Sequence, residues 1–219
     1  MTATAQHIRK KLSPIGSAAA PRLVAIVGGS GSGKTWLADK LQEALGKKSA
    51  ARLSLDDFYR DRSHLSPARR ALVNYDHPRA IDWDAFASVL RDCLAWRPTV
   101  IPKYDFANHA RLPAGRSFQP KKIVLVDGLW LLHKRELREL FSFSIFIDCS
   151  PQIRLNRRLA RDLLIRGRDK ASVQRQFRDE VEPMNTRYVV PQKRWVHNNL
   201  DTPIGAARVR HLAGQLSSL

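Results

Sequence analysis

Short, uninterrupted apolar runs alternate along the chain with longer segments in which apolar residues recur at helical spacing. The uninterrupted runs predict buried strands over residues 22–27, 51–55, 123–126 and 143–147. Helical spacing and capping signals predict helices over residues 36–45, 82–94, 134–140, 151–166, 172–188 and 204–216. Wholly apolar strands that alternate with helices are typical of a parallel sheet covered on both faces, so we expect a three-layer α/β fold.

The length and composition fit one soluble domain. A chain of 219 residues is long enough for one well-cored domain and too short for two. No apolar run reaches about 18 residues, so no membrane span or membrane partner is predicted. Cys93 and Cys149 alone form neither a disulfide framework nor a zinc site, which favours the reducing cytoplasm. We expect a flexible basic tail over residues 1–21, a main domain over 22–200 and a C-terminal helical segment over 201–219.

The balance of charge is strongly basic. The chain carries 38 Lys and Arg against 20 Asp and Glu, a formal net charge of +18. Basic surfaces attract nucleic acid, anionic membranes or small phosphorylated ligands. Because the cations are spread along the whole chain, a solvated surface is favoured; a nucleic-acid partner is less favoured and stays open.

A glycine-rich loop directly after the first predicted strand carries the sharpest chemical signal. It fits the phosphate-binding pattern of two glycines five positions apart, then Lys and a hydroxyl residue. Its residues are Gly28, Gly29, Ser30, Gly31, Ser32, Gly33, Lys34 and Thr35. Glycines let backbone N–H groups turn toward a β-phosphate, and the helix that follows directs its positive end there. Lys34 offers a cation to the β- and γ-phosphates of ATP, and Thr35 offers a hydroxyl to Mg²⁺.

Acidic residues stand at the ends of two other predicted strands. Asp127 follows the strand over 123–126, where a Mg²⁺-supporting acid is expected in nucleotide-binding folds. Asp56 and Asp57 follow the strand over 51–55, and ligands of open α/β sheets bind at such ends. A carboxylate there can accept the proton of an attacking hydroxyl, so Asp56 is the preferred base and Asp57 competes on sequence alone.

Aromatic and basic clusters complete the candidate chemistry. Phe58 and Tyr59 follow the two acids, and Tyr104, Phe106 and His109 lie in a segment, 103–119, that is predicted to be loop. Such rings can sandwich a base, with core packing as the alternative. Four arginines lie at the end of a predicted helix and across Gly167, where they can close over a triphosphate or form a solvent-facing helix surface: Arg158, Arg161, Arg166 and Arg168.

In this order the motifs resemble the uridine kinase family, also called uridine–cytidine kinases, over about residues 22–192. The matching segments are IVGGSGSGKT (26–35), LSLDDFY (53–59), YDHP (75–78), IDWD (81–84), PKYDFANHAR (102–111), DG (127–128) and the arginine-rich stretch 147–169. The resemblance implies a P-loop kinase that uses ATP and Mg²⁺ to phosphorylate the 5′-hydroxyl of uridine or cytidine. Segments 57–77 and 102–118 would form a small nucleoside-binding and lid subregion.

The resemblance also implies a role for each site residue. Asp56 would accept the hydroxyl proton, and Thr35, Asp56 and Asp127 would surround Mg²⁺. The remaining catalytic groups would be Lys34 and the lid arginines Arg161, Arg166 and Arg168. The ribose hydroxyls would be held by Asp76, with Arg158 or Arg161 and Gln176 nearby. The pyrimidine would be framed by Tyr59, Tyr104 and His109, with Tyr75 and Phe106 stacking. Family members are often tetramers, so a homo-oligomer is a further expectation.

Three departures from the family pattern and two alternative functions accompany this interpretation. Asp127 stands where the family usually has Glu, and QKRWVH (192–197) replaces a Pro-Thr-Lys run. The strand that follows that run in the family is expected to be missing, with NNLD (198–201) in its place. The first alternative is a P-loop kinase for another ribosyl or sugar-like alcohol, as in phosphoribulokinase or nicotinamide riboside kinase. The second is a nucleotide-binding protein with weak catalysis whose basic surface serves nucleic acid or a protein partner.

Overall fold

One parallel β-sheet lies between two layers of helices. The computed structural model describes residues 19–106, 108–166 and 168–219, and of residues 71, 165 and 166 the main chain alone. The strands are β1 (Arg22–Gly28), β2 (Ala50–Ser54), β3 (Thr99–Ile101), β4 (Tyr104–Asp105), β5 (Ala110–Arg111), β6 (Arg116–Phe118), β7 (Ile123–Gly128), β8 (Phe143–Asp148) and β9 (Asn198–Asp201). The α-helices are α1 (Lys34–Leu45), α2 (Pro67–Ala71), α3 (Trp83–Leu94), α4 (Arg135–Arg138), α5 (Pro151–Arg166), α6 (Lys170–Gln176), α7 (Glu182–Met184) and α8 (Ala206–Ser217).

The central sheet has five strands in the order β2-β7-β1-β8-β9, and every neighbouring pair is parallel. Every residue of β7 and all but the first of β1 are buried. A strand that is covered on both faces has little room for exposed polar side chains, which explains the uninterrupted apolar runs in the sequence. The predicted three-layer α/β fold is therefore confirmed.

Alternate residues of β1 pack into two separate hydrophobic cores. Leu23, Ala25 and Val27 contact the core that also contains Phe86 and Leu90 of α3. Val24 and Ile26 face the opposite core, whose helical members are Leu37, Ala38 and Leu41 of α1 and Val209, Leu212, Ala213 and Leu216 of α8. Full burial of one large apolar side chain stabilises the fold by about 1.5–3 kcal/mol, so these two cores hold the strand ends firmly in place.

The carboxyl ends of the strands meet at one edge of the sheet, which is where ligands bind in such folds. At this edge β1 leads into the glycine-rich loop and α1, and β2 leads into a 3₁₀ turn over Leu55–Phe58. The predicted loop over 103–119 is partly wrong, because β4 pairs with β5 and β3 pairs with β6 in two small antiparallel ribbons. Their strands have only two or three residues, too few to show a clear alternation in sequence.

The helical region after α5 starts earlier and is less regular than predicted. Helix α6 begins at Lys170, because the Asp169 carboxylate accepts the Ser172 N–H at 2.7 Å and acts as the cap. The helical path then continues through α7 to Trp195, with π-helical turns over Phe177–Val181 and Asn185–Val189 and a 3₁₀ stretch over Val190–Trp195. The predicted single helix over 172–188 is thus correct in type and wrong in its bounds.

The expectation that the last strand is missing is wrong. Residues Asn198–Asp201 form β9, which pairs in parallel with β8 from Ile145 to Asp148. A short edge strand is held by main-chain hydrogen bonds, so it needs only one buried apolar residue, and Leu200 is 3% exposed. Helix α8 follows and covers the same sheet face as α1, as its amphipathic spacing predicts. No helix in the described ranges is both long and apolar enough to cross a lipid bilayer.

Candidate active site

The loop between β1 and α1 is bent at glycines whose conformations suit no other residue. Gly31 and Gly33 have φ angles of +81° and +102°, in the left-handed region. A Cβ at residue 31 would lie 2.5 Å from the Arg154 carbonyl oxygen, so α5 supports the loop at main-chain contact distance. Lys34 Nζ donates a hydrogen bond of 3.0 Å to the Gly29 carbonyl and spans the loop. The backbone cradle predicted for phosphate is therefore already folded.

Two carboxylates and one ammonium group form an electrostatic unit beside this loop. Thr35 Oγ1 donates a hydrogen bond of 3.0 Å to Asp127 Oδ2, which joins α1 to the end of β7. Burial raises the pKa of Asp127, which is 3% exposed, and the negative charge of Asp56 adds to this effect. Burial also lowers the pKa of Lys34, opposed by the charges of Asp56 and Asp127. The three charged groups are thus close enough to influence one another.

The structure separates the two adjacent acids that the sequence could not distinguish. Asp56 lines the same cavity as the glycine-rich loop. Asp57 points to a different cleft at the outer edge of β2, where Arg116 donates a hydrogen bond of 3.2 Å to its carboxylate. Burial raises the pKa of Asp57, and the Arg116 guanidinium opposes the rise. Only Asp56 of this pair is therefore placed to act on a ligand of the loop.

The residues beside the loop fit a magnesium ion that is held mainly by phosphates. Among the described residues no cluster of three or more His, Cys, Asp or Glu side chains could hold a metal without help. Magnesium typically binds one or two carboxylates together with substrate phosphates and water. Asp127 Oδ1 is buried and accepts no hydrogen bond from the described residues, so it retains coordination capacity.

Aromatic rings line the opposite side of the cavity. Tyr59 lies 5.2 Å from Tyr104 and 6.2 Å from Phe106, between ring centroids. Tyr75 and His109 stack face to face, with centroids 4.0 Å apart and planes inclined by 10°. His109 has φ +50° in the turn between β4 and β5, an unusual conformation that directs its ring toward Tyr75. Burial raises the pKa of Tyr59, Tyr75 and Tyr104, so all three phenols stay neutral.

Arg158 connects the loop with the lid segment and with the acidic side of the cavity. Its guanidinium donates hydrogen bonds of 2.9 Å to Ser30 Oγ and to Gln176 Oε1. It also forms ion pairs with Asp76 at 3.8 Å and with Asp162 at 3.7 Å. Arg158 is 5% exposed and Asp76 8% exposed, so this ion-pair network is shielded from water. The family resemblance implies that Asp76, Arg158 and Gln176 lie near one another, and the structure links Asp76 and Gln176 through Arg158.

Two of the three predicted lid arginines face the cavity. Arg161 and Arg168 line it, and Arg168 donates hydrogen bonds to Gln176 at 2.5 Å and to Ser172 at 2.9 Å. The side chain of Arg166 lies outside the described part of the structure, although its main chain ends α5. Gly167 is also outside the described residues.

Arg154 and Arg157 are site residues that the sequence interpretation did not select. Arg157 donates a hydrogen bond of 3.0 Å to the Ser32 carbonyl and lines the cavity. Arg154, 2% exposed, lies behind the loop, where it donates to the Cys149 carbonyl at 3.1 Å and pairs with Glu182 at 2.5 Å. A signal for both was present, because residues 154, 157, 158 and 161 have the spacing of one helix face.

One cavity of about 770 Å³ unites these groups. Among its lining residues are most of the predicted site: Ser30, Gly31, Gly33, Lys34, Thr35, Asp56, Tyr59, Tyr75, Asp76, Tyr104, Phe106, His109, Asp127, Arg158, Arg161, Arg168 and Gln176. Gly28, Gly29 and Ser32 are not among the lining residues, and Ser32 is 1% exposed. These three residues belong to the loop but do not face the cavity.

Known proteins are similar to this chain in sequence and in fold. The profile of the phosphoribulokinase/uridine kinase family matches residues 23–203. A uridine kinase of Brevibacillus brevis is 37% identical over 175 residues, covering 80% of this chain and 82% of the relative. A uridine kinase of Clostridium perfringens is 34% identical over 203 residues, covering 89% of this chain and 98% of the relative.

Two solved structures show the same fold at low sequence identity. A putative fructose transport system kinase from Silicibacter sp. TM1040 has a TM-score of 0.68 at 22% identity and covers 82% of this chain and 88% of its own. Phosphoribulokinase from Rhodobacter spheroides has a TM-score of 0.62 at 15% identity, covering 88% and 75% respectively. Together with the sequence match over residues 23–203, these relationships show that the chain belongs to the phosphoribulokinase/uridine kinase family of phosphotransferases.

Proposed function

We propose that this protein transfers the γ-phosphoryl group of ATP to the 5′-hydroxyl of a pyrimidine nucleoside, uridine or cytidine. The observation that carries the proposal is the single cavity that has a phosphate-binding loop at one side, aromatic rings at the other and Asp56 among its lining residues. The curated relatives that align over 80–89% of this chain are uridine kinases, which supports the same acceptor class.

The phosphate side of the cavity binds the donor. Main-chain N–H groups of the loop from Gly28 to Thr35 enclose the β-phosphate, and the positive end of α1 faces it. Lys34 moves from the neutral Gly29 carbonyl to the β- and γ-phosphate oxygens, where its charge gains an anionic partner. Arg161, Arg166 and Arg168 close over the triphosphate and stabilise the charge of the transition state.

Thr35, Asp56 and Asp127 are the residues that would hold Mg²⁺ beside the loop. The ion supplies positive charge that offsets the negative charge on the phosphate oxygens during transfer. Thr35 and Asp127 are already joined by a hydrogen bond, so the hydroxyl and the carboxylate are preorganised for this role.

Asp56 acts as the general base. It accepts the proton of the 5′-hydroxyl while the oxygen bonds to the γ-phosphorus and the bond between that phosphorus and the bridging oxygen of ADP breaks. The products are the nucleoside 5′-monophosphate, ADP and a proton. General base catalysis of this kind typically contributes about 10²–10⁴-fold to the rate.

The aromatic side of the cavity selects the acceptor. Tyr59, Tyr104 and His109 frame the pyrimidine, and Tyr75 and Phe106 offer stacking surfaces. Asp76 accepts hydrogen bonds from the ribose hydroxyls. Arg158 pairs with Asp76, and Gln176 in turn accepts a hydrogen bond from Arg158. Neutral phenols suit a neutral base, which they can contact without a charge penalty.

A panel of acceptors tests the proposal directly. Initial rates of ADP formation are measured with uridine, cytidine, purine nucleosides, ribulose 5-phosphate and simple sugars, each with and without Mg²⁺. We expect turnover with uridine or cytidine, dependent on Mg²⁺, at a rate well above that of every sugar. Turnover with a sugar or with ribulose 5-phosphate, and with no nucleoside, would show that the proposed acceptor is wrong.

The cytoplasmic location, the homo-oligomer and the less favoured nucleic-acid partner stay predictions. The acceptor panel does not address them, whereas sedimentation and a salt-dependent gel shift with RNA do.

A further inference from the structure

An arginine lies close to Asp127, on the neighbouring strand of the sheet. Arg52 belongs to β2, and the register of β2 and β7 pairs Arg52 with Leu125 and Ser54 with Asp127. Residues two apart on a strand point to the same face, so the Arg52 and Asp127 side chains share the sheet face that α1 covers. The two residues are therefore diagonal neighbours on one face.

The Arg52 guanidinium connects two carboxylates from different elements. Its Nη2 lies 3.9 Å from Asp127 Oδ1, and its Nη1 pairs with Asp39 of α1. The side chain of Arg52 is 25% exposed, whereas that of Asp127 is only 4% exposed. Thr35, which donates to the other oxygen of Asp127, lies one helical turn before Asp39 on α1. Asp39, Arg52, Asp127 and Thr35 thus form a closed ring between α1 and the sheet.

We propose that Arg52 is a positioning residue that holds the Asp127 carboxylate in place for the metal. This inference rests on the proposed function, in which Asp127 helps to hold Mg²⁺. The two oxygens of Asp127 have different neighbours: Oδ2 faces the Thr35 hydroxyl, and Oδ1 faces the charge of Arg52. A buried carboxylate needs a compensating positive charge, and Arg52 supplies one. Arg52 itself lines the cleft at the edge of β2 and is not among the lining residues of the main cavity.

The same arrangement leaves Lys34 available for phosphate. Among the described residues, the charge of Lys34 also lowers the pKa of Asp127, as that of Arg52 does. The Lys34 Nζ nevertheless donates its hydrogen bond to the Gly29 carbonyl. Without Arg52, Asp127 would have Lys34 as its main compensating charge. The carboxylate would then turn toward Lys34 and away from the position that Thr35 defines.

A purely structural role for Arg52 would act through Asp39. In that case the Arg52–Asp39 pair would only join β2 to α1, and Asp127 would not depend on it. Asp39→Asn weakens this tether but keeps the Arg52–Asp127 pair, so it separates the two interpretations.

The first test measures the Mg²⁺ concentration that gives half-maximal turnover at fixed ATP and acceptor concentrations. We expect Arg52→Met to raise it about fivefold or more, with the KM of the acceptor unchanged, and Arg52→Lys to restore much of the loss. Asp39→Asn and the matched charge control Lys121→Met, which lines the same cleft at the edge of β2, should stay within about twofold. An unchanged value for Arg52→Met would overturn the inference. A lower value would overturn it as well, because Arg52 would then compete with the metal.

The second test needs no turnover and no metal. Thermal unfolding in chelator-treated buffer is compared for the wild-type protein, Arg52→Met, Asp127→Asn and the double variant. We expect Arg52→Met to lower Tm by about 4 °C or more when Asp127 is present and by less than half as much in the Asp127→Asn background. Equal decreases in both backgrounds would overturn the inference, because Arg52 would then act through Asp39 alone. If the wild-type protein shows no Mg²⁺-dependent turnover with any acceptor, the proposed function fails, and this cycle still reports on the ion pair.

Discussion

The rings of Tyr75 and His109 stack with their centroids 4.0 Å apart and their planes inclined by 10°. This pair lies in the same cavity as Asp56 and the phosphate loop. In the proposed function, a pyrimidine stacks beside this ring pair.

His109→Ala should therefore weaken acceptor binding and leave ATP binding unchanged. We expect the KM for uridine or cytidine to rise about tenfold, since stacking of one base on an aromatic side chain is worth about 1–3 kcal/mol. Steady-state kinetics with each substrate varied in turn would show the difference. His133→Ala is the matched control, because His133 contacts the Tyr188 ring and is absent from the cavity lining. Equal increases in the KM of ATP and of the nucleoside would contradict this assignment.

Asp56→Asn should abolish most turnover. We expect kcat to fall about 100-fold or more, because the amide cannot accept the hydroxyl proton, while calorimetry shows ATP binding within about threefold of wild type. Asp57→Asn is the matched comparison at the adjacent position, because Asp57 accepts a hydrogen bond from Arg116 in the other cleft. The kcat of this variant should stay within about fivefold of wild type. Similar losses in both variants would show that the turn, rather than the Asp56 carboxylate, matters.

The Thr35 hydroxyl should be required for metal use. Thr35→Val keeps the shape of the side chain but removes the donor to Asp127, so we expect the half-saturating Mg²⁺ concentration to rise about tenfold. Thr35→Ser keeps the hydroxyl and should remain within about threefold of wild type. A wild-type Mg²⁺ requirement in the Thr35→Val variant would show that Thr35 does not help to hold the metal.

The C-terminal helix should contribute to the stability of the whole domain. Leu212 is fully buried against the sheet face that α1 also covers, so Leu212→Ala should cost about 2–5 kcal/mol of unfolding free energy. Urea denaturation would measure this cost, with the exposed Arg210→Ala as the control at about 0.5 kcal/mol or less. An unchanged midpoint in the Leu212→Ala variant would mean that the packing of α8 on the sheet does not contribute to the stability of the domain.

Mild acid should destabilise the protein through His77. Burial and the charge of Arg79 lower its pKa, and its ring accepts the Arg79 N–H at 3.0 Å and contacts the Tyr188 hydroxyl at 3.1 Å. Because the pKa is lower in the folded state, the unfolded chain binds more protons, and stability falls as the pH drops below the ordinary histidine value of about 6.5. Tm measured from about pH 7.5 to about pH 5.5 should decline less steeply in His77→Gln. An identical slope in the variant would assign the acid sensitivity to other groups.

The central strands and the phosphate loop could be predicted from sequence because their signals are local. A strand such as β7 that is buried on both faces must be apolar throughout, and the bend at Gly31 and Gly33 requires glycine. The edge strand β9 could not be predicted from an apolar run, because it has only one buried leucine. Main-chain pairing with β8 holds it in the sheet instead.

The rest of the site depends on contacts between distant segments. Asp56 and Asp57 are neighbours in the chain, and only the turn after β2 directs one to the cavity and the other to Arg116. The contact of Arg157 with the Ser32 carbonyl joins residues 125 positions apart, and Arg52 meets Asp127 only through strand register. Spacing alone indicates a basic helix face, whereas tertiary structure decides what that face touches.

Helix α5 contacts the phosphate loop and also contains arginines that line the cavity. The Arg154 carbonyl oxygen lies 2.5 Å from the position that a Cβ of residue 31 would take. One turn later on the same helix, Arg158 donates a hydrogen bond to Ser30. Any displacement of α5 would therefore move the loop support and these arginines together. Redesign for a different phosphate donor would therefore have to change the loop and α5 together.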